Sequence, residues 1–342
     1  MTADAGLVLA WLVLAHLIAD FVLQPGRMAR AKAAPGSDAT PALLAHALVV
    51  GVCVVPFGLA FGAPGWWVVA IVALSHAVID RLKAVLTRRA EAAALAEARR
   101  RHEAAGTALD GLGPAWTPVP GALFAVDQFA HVAILVAAWA ALLSVAPLDP
   151  AFAGWAADWL GAWDPAVVHE VLFRGAILAS LLIVNVRAGA LFVGVLVAPR
   201  LASEGRPLAD RPTTPVTPVT PAPSAPAARL GWTFQVGPIE GRAVPDPAAP
   251  PPTAISQMHA SPAPPGRVGE AIGIIERLLI VTFVLAGAEA AIGLVIAAKT
   301  LARFKQLDDR DFAEYYLLGT LASVAIASIS AFSAAAALGS LG

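Results

Sequence analysis

The sequence predicts an all-α, polytopic transmembrane helical bundle of about seven or eight spans, with a disordered Pro-rich linker. Three observations predict it. Of the 342 residues, 58% are hydrophobic and only 14% are charged, where a soluble domain carries about 25% charged residues. The charges are unevenly spread, with no Asp, Glu, Lys or Arg from 41 to 79 or from 315 to 342. Apolar runs of about 20 residues, the length that crosses a bilayer core, recur along the chain.

Other bounds follow from composition. A formal net charge of -1 gives no general attraction to nucleic acid, and no such partner is expected. Cys53 is the single cysteine, which excludes an intramolecular disulfide and a thiolate-rich metal site. The N-terminus lacks the basic segment and small-residue cleavage site of a secretory signal, so the first helix is expected to stay as an anchor.

The first span is expected over about 5–24, ended by Pro25 and Gly26. Arg27, Arg30 and Lys32 follow directly. Short Arg/Lys-rich loops stay cytoplasmic, which puts the N-terminus outside and 25–40 inside. Arg27 and Lys32 are read as topology determinants. The second span covers about 41–61, with Pro41 in a first turn where a missing N–H does no harm. After the turn at 62–65, Trp66 and Trp67 suit a membrane interface at the start of a third span reaching about Val85. The stretch 81–101 holds seven Arg or Lys against two Glu and reads as a helix leaving the membrane on the cytoplasmic side. Attraction to anionic lipid headgroups follows from the same charges. A Gly/Pro loop at 106–120 leads to a fourth span over about 121–145.

The segment 147–165 carries Trp155, Trp159 and Trp163 with acids and no basic residue, as an outer interfacial excursion would. A fifth span covers about 166–186, and the run 188–199 either crosses or re-enters, giving eight or seven crossings. Sixteen prolines between 203 and 268 mark a linker too poor in apolar side chains to form a core. Within it, GWTFQV at 231–236 reads as one strand or a docking segment. The last module contains a long helix from 269 with Glu276, Arg277 and Glu289, basic residues Lys299, Arg303 and Lys305, and a final span over 315–337. Glu276 with Arg277, and Lys299 with Arg303, read as interface anchors. Glu289 requires a partner on another helix or a wet cavity. The organisation is thus a four-span module (1–145), an interfacial segment with one or two spans (146–202), the linker (203–268) and a two-span module (269–342).

Ionisable residues at membrane depth are expensive and face protein or water. His16 and Asp20, His76 and Asp80, and Asp127 and His131 are each four residues apart, one helical turn. His46 sits mid-span on the second helix. The order His–Asp on inward helices and Asp–His on the outward one places the three pairs at one depth. Imidazole nitrogens and carboxylates suit a divalent cation such as zinc or manganese. An ion with an open position would activate water to hydrolyse a phosphate or ester bond near the cytoplasmic face. The candidate ligands are His16, Asp20, His46, His76, Asp80, Asp127 and His131. The candidate catalytic groups are Asp80, Lys83, Gln24 and Gln128. Lys83 would bind a lipid phosphate or neutralise Asp80. Two alternatives use the same residues: proton- or cation-coupled transport, and a non-catalytic scaffold in which each His–Asp pair fixes helix packing. His102 and His259 lie in solvated segments and carry little signal. No soluble-enzyme motif is present.

The segments HLIADFVLQPGRMARAK, LLAHALV, LSHAVIDRLK and DQFAH, in that order, resemble the uncharacterised bacterial membrane-protein family carrying domain-of-unknown-function number 3307. The resemblance covers about 7–140, and IGIIERLLI, IAAKTLARF and FAEYYLLGTLAS are similar to the C-terminal part of longer members. It implies a multi-pass protein of the bacterial inner membrane. It maps onto His16, Asp20, Gln24, His46, His76, Asp80, Lys83, Asp127, Gln128 and His131, and it carries no activity with it.

Overall fold

The computed structural model describes residues 4–104, 114–115, 117–197, 200–201, 233–236, 239–242 and 265–339. The chain divides into Met1–Leu208 with Glu270–Gly342, and Ala209–Gly269. Most of the Pro-rich linker, most of the 106–120 loop, His259 and the His102 side chain lie outside the described residues.

The helices begin where the sequence supplies caps. Helix α1 spans Ala5–Leu17, and the Asp4 carboxylate accepts the Leu7 N–H at 2.8 Å. A π-helical turn, Ile18–Val22, continues it. After Pro25 a short helix α2 covers Gly26–Lys32. Helix α3 is Thr40–Phe61, with Pro41 in its first turn. Helix α4 is Ala63–Ala104, 42 residues in one piece. Helix α5 is Val119–Ala138, extended by a π turn at Trp139–Leu143. Helices α6 (Pro150–Leu160) and α7 (Pro165–Ile183) are capped by Asp149 and Asp164. A π turn at Val184–Ala188 joins α7 to α8, Gly189–Val197. Helices α9 (Pro265–Leu285), α10 (Ala291–Ala302) and α11 (Arg310–Gly339) complete the described helices. Two strand pairs accompany them: Pro114–Ala115 with Arg200–Leu201, and the antiparallel hairpin Thr233–Val236 with Ile239–Arg242.

Among the described residues, five helical segments are long and apolar enough to cross a membrane: Ala5–Val22, Gly36–Phe61, Val119–Leu143, Pro165–Val197 and Phe312–Gly339. This corrects the expected seven or eight. The runs at 166–186 and 188–199 are not separate crossings, because the π turn fuses them into one 33-residue segment. The long helix expected from 269 breaks at 286–290, where Gly287 takes a φ of +67° that other residues resist. The following α10 has 12 residues, too few to span about 30 Å of hydrocarbon. Glu289 therefore lies in an exposed turn rather than inside a helix. The expected third span is not among the five: its residues form the front of α4, which runs on without a break into the basic stretch.

Side-chain distribution follows the bilayer rather than water. On α3, Leu44, Leu48, Val52 and Leu59 are exposed, while Val50, Val54 and Phe57 pack inward. The inward set meets Val8, Leu12 and Ala15 of α1, Val68 and Val72 of α4, and Leu135 and Ala138 of α5. This apolar layer brings α1, α3, α4 and α5 together. The α3–α4 hairpin is tight because Gly65 lacks a side chain: a Cβ there would stand 2.0 Å from the Phe57 carbonyl oxygen. Gly58 similarly receives the Trp66 ring, 2.7 Å from where a Cβ would be.

The π turns free backbone carbonyls, and arginines take them up. Arg187 Nε donates to the Phe21 carbonyl at 3.2 Å, and Arg277 Nε to the Asn185 carbonyl at 2.6 Å. Arg277 is 2% exposed, so it is a buried brace and not the interface anchor expected. Its neighbour Glu276 pairs with Lys299 at 2.7 Å.

Candidate metal centre

Six of the seven sequence-predicted ligands bring ligand atoms together in sets of three, and Asp127 lies beside them, bonded to Lys83 and Gln128. His16 and Asp20 come from α1 and its π turn, His46 from α3, His76 and Asp80 from α4, and Asp127 and His131 from α5. All are buried, with His46 at 0% and His16 and His76 at 1% exposure.

The tightest group is formed between helices. His46 Nε2 lies 3.0 Å from His76 Nε2, and each is 3.1 Å from Asp20 Oδ1. The expected contacts within a helix are longer. His16 to Asp20 is 4.0 Å, His76 to Asp80 is 3.7 Å, and His131 to Asp127 is 4.0 Å. The one-turn spacing puts each pair on one face, but a side chain four residues away is not the nearest partner. The π turn carries Asp20, which meets α3 and α4 instead of folding back on its own helix.

The imidazoles also crowd together at tilted angles. His76 and His131 ring centres are 4.0 Å apart at 31°, and His16 lies 5.2 Å from His131. Several polar atoms of the cluster have nothing to bond. Nδ1 of His46 and His76, both nitrogens of His131, and Asp127 Oδ1 are buried without a hydrogen-bond partner. A buried polar atom left unpaired costs about 1–3 kcal/mol.

The four candidate catalytic groups surround this core. Gln128 Nε2 donates to Asp20 Oδ2 at 3.2 Å and to Asp127 Oδ2 at 3.0 Å, and its Oε1 lies 3.4 Å from His16 Nε2. Lys83 donates to Asp127 at 2.7 Å, not to Asp80, and stands over the Phe124 ring. Asp80 takes Lys32 instead, at 2.5 Å, and Lys32 also donates to Gln24 at 2.5 Å. Lys32 is the residue that sequence reasoning missed. It is 8% exposed on α2, directly after the Pro25–Gly26 turn. Its charge reads as one of several topology residues, and only the fold of α2 back onto α4 reveals the pairing. Arg88 helps to hold that fold, donating to the Ala33 carbonyl at 2.8 Å and to the Ala34 carbonyl at 2.9 Å.

Three sets of three residues bring ligand atoms within 4.8 Å of one another: Asp20–His46–His76, His16–Asp20–His131 and His76–Asp80–His131. Every one of these residues lies on the part of the chain that carries the family pattern. Residues 8–153 match the family model described as a protein of unknown function, DUF3307. The DUF3307 segment thus takes in α1 to α5 and every residue of the cluster, together with Lys32. No curated protein and no solved structure matches the chain. The clustered, buried His and Asp residues, within or beside the candidate membrane-spanning helices, make a candidate metal-binding site in a multi-pass membrane protein.

Proposed function

We propose that the DUF3307 segment holds a divalent cation, zinc or manganese, and uses it to hydrolyse a phosphate or ester bond at the cytoplasmic face of the bacterial inner membrane. One observation carries the reading. Two imidazole nitrogens and a carboxylate oxygen from three separate helices stand 3.0–3.1 Å apart in a buried triangle. His46, His76 and Asp20 would hold such an ion, which would supply Lewis-acid chemistry there. Nitrogen and oxygen donors of this kind suit zinc and manganese. Without a cation, three acceptor-rich atoms share at most two protons at these distances.

The surrounding groups fit hydrolysis. A bound cation lowers the pKa of its water. Asp80, 3.7–3.8 Å from the two imidazole nitrogens, would serve as the proton acceptor, its carboxylate held in place by Lys32. Gln24 positions Lys32, and Gln128 positions Asp20 and Asp127. Lys83, whose side chain is 29% exposed, neutralises charge on the substrate. The basic residues of α2 and the second half of α4 support a cytoplasmic location and attraction to anionic lipid headgroups.

The test is metal analysis of the full chain purified in detergent and incubated with Mn²⁺ or Zn²⁺, with bis-p-nitrophenyl phosphate as substrate. Bound metal and phosphodiester cleavage are expected, and both are lost in His76→Ala. A monodisperse preparation that retains neither ion overturns the reading.

A further inference from the structure

We infer that the centre holds two cations, bridged by the Asp20 carboxylate; this rests on the metal reading above. Asp20 presents its two oxygens to different partners. Oδ1 belongs to the triangle with His46 and His76. Oδ2 faces the other way, 4.0 Å from His16 Nε2 and 3.2 Å from the Gln128 amide nitrogen.

A second donor set lies on that side. His16, Asp20 and His131 bring one ligand atom each within 4.8 Å of one another. Gln128 Oε1, 3.4 Å from His16 Nε2, adds a carbonyl oxygen. The independent sign is His131. Its ring is 4% exposed, and neither nitrogen has a hydrogen-bond partner. Asp127 Oδ1, also unpartnered, lies 4.0 Å from His131 Nδ1. An imidazole buried with both nitrogens unpartnered is a poor packing residue and a ready ligand.

In the third set, His76–Asp80–His131, two of the three groups are already engaged. His76 Nε2 is already used in the triangle, and Lys32 occupies the Asp80 carboxylate at 2.5 Å. The His16 side is wider than the triangle, so the second ion binds more weakly. Its donors are also harder, with two oxygens among four, which favours manganese over zinc there. Carboxylate-bridged ions about 3.5–4 Å apart hold both the attacking and the leaving oxygen of an in-line displacement. That arrangement favours phosphodiesters or phosphomonoesters over carboxylic esters as the substrate class.

The experiment is Mn²⁺ titration of the full chain in detergent, read by bound-ion stoichiometry and by electron paramagnetic resonance. Wild type is expected to bind two ions in two steps, with the second step giving the spectrum of an exchange-coupled pair. His131→Gln, a variant close in size, is expected to bind one ion with an uncoupled spectrum. One tight ion in wild type, with no coupling at saturating Mn²⁺, overturns the two-ion centre while leaving the single-ion reading intact. No bound ion overturns both. Two ions retained with unchanged coupling in both His131→Gln and His16→Gln would show a pair held elsewhere, and overturns the assignment. The wild-type result does not depend on how any variant folds.

Discussion

Lys32 and Asp80 stand 2.5 Å apart with no more than a tenth of either side chain exposed, one from α2 and one from α4. This pair closes the inner edge of the histidine cluster. Removing one partner of a buried ion pair leaves an uncompensated charge and costs about 3–5 kcal/mol. Lys32→Met is therefore expected to lower the thermal stability of the detergent-solubilised protein. Adding Asp80→Asn to it restores most of the loss, because the orphaned charge is gone. The double variant stays inactive if Asp80 accepts the water proton. Equal melting temperatures for wild type and Lys32→Met would show that the pair contributes nothing.

Gln128 touches Asp20, Asp127 and His16 without belonging to the tight triangle. Groups that orient metal ligands typically contribute about 10–100-fold in affinity. Gln128→Leu should weaken Mn²⁺ binding by about that factor, whereas Asp20→Asn and His46→Ala, which remove triangle atoms, should weaken it more. Isothermal titration of the three variants gives the ranking.

The close crossing of α3 and α4 makes a packing prediction. A methyl at position 65 meets the Phe57 carbonyl, which is backbone and cannot swing away. Gly65→Ala is expected to destabilise by about 1–3 kcal/mol or more. Gly175→Ala, where nothing lies within 4 Å, should be nearly neutral. Melting temperatures of the two variants decide it.

Asp4 supplies a pH dependence outside the spans. The Leu7 N–H holds its carboxyl below the usual carboxylate value, with His169 nearby adding to the effect. A carboxylate with a lowered folded-state pKa stabilises fully above its unfolded value, near 4, and loses that contribution as pH falls through the folded value. The side chain is 52% exposed, so screening limits the effect to within about 1 kcal/mol. Asp4→Asn keeps a capping oxygen but has no charge to lose. The wild-type advantage over Asp4→Asn at pH 7 should be lost progressively as the pH falls below the unfolded value and through the lowered folded one.

Much of the centre was legible from spacing alone. A four-residue interval between His and Asp, repeated on three apolar runs with its order reversed on the third, requires one common depth, and His16, His76 and His131 do meet. What spacing does not encode is which partner is nearest. Asp20 bonds to His46 and His76 because α1, α3 and α4 pack together, and no local pattern announces a π turn at Ile18–Val22. Lys32 escaped for a related reason: a charge in a loop reads as solvated until the loop folds back. The span count failed at continuity. Hydropathy marks where apolar runs lie, but whether 166–186 and 188–199 join, or the run from 269 breaks, depends on single residues such as Gly287.

The unbroken length of α4 has a mechanical consequence. From His76 to Ala104 the helix runs about 42 Å at 1.5 Å per residue. It is a stiff lever with the cluster near its fulcrum and seven positive side chains along its outer arm between Arg81 and Arg101. Whatever grips that arm, a membrane surface or another macromolecule, sets the tilt at which His76 and Asp80 are presented to the other three helices.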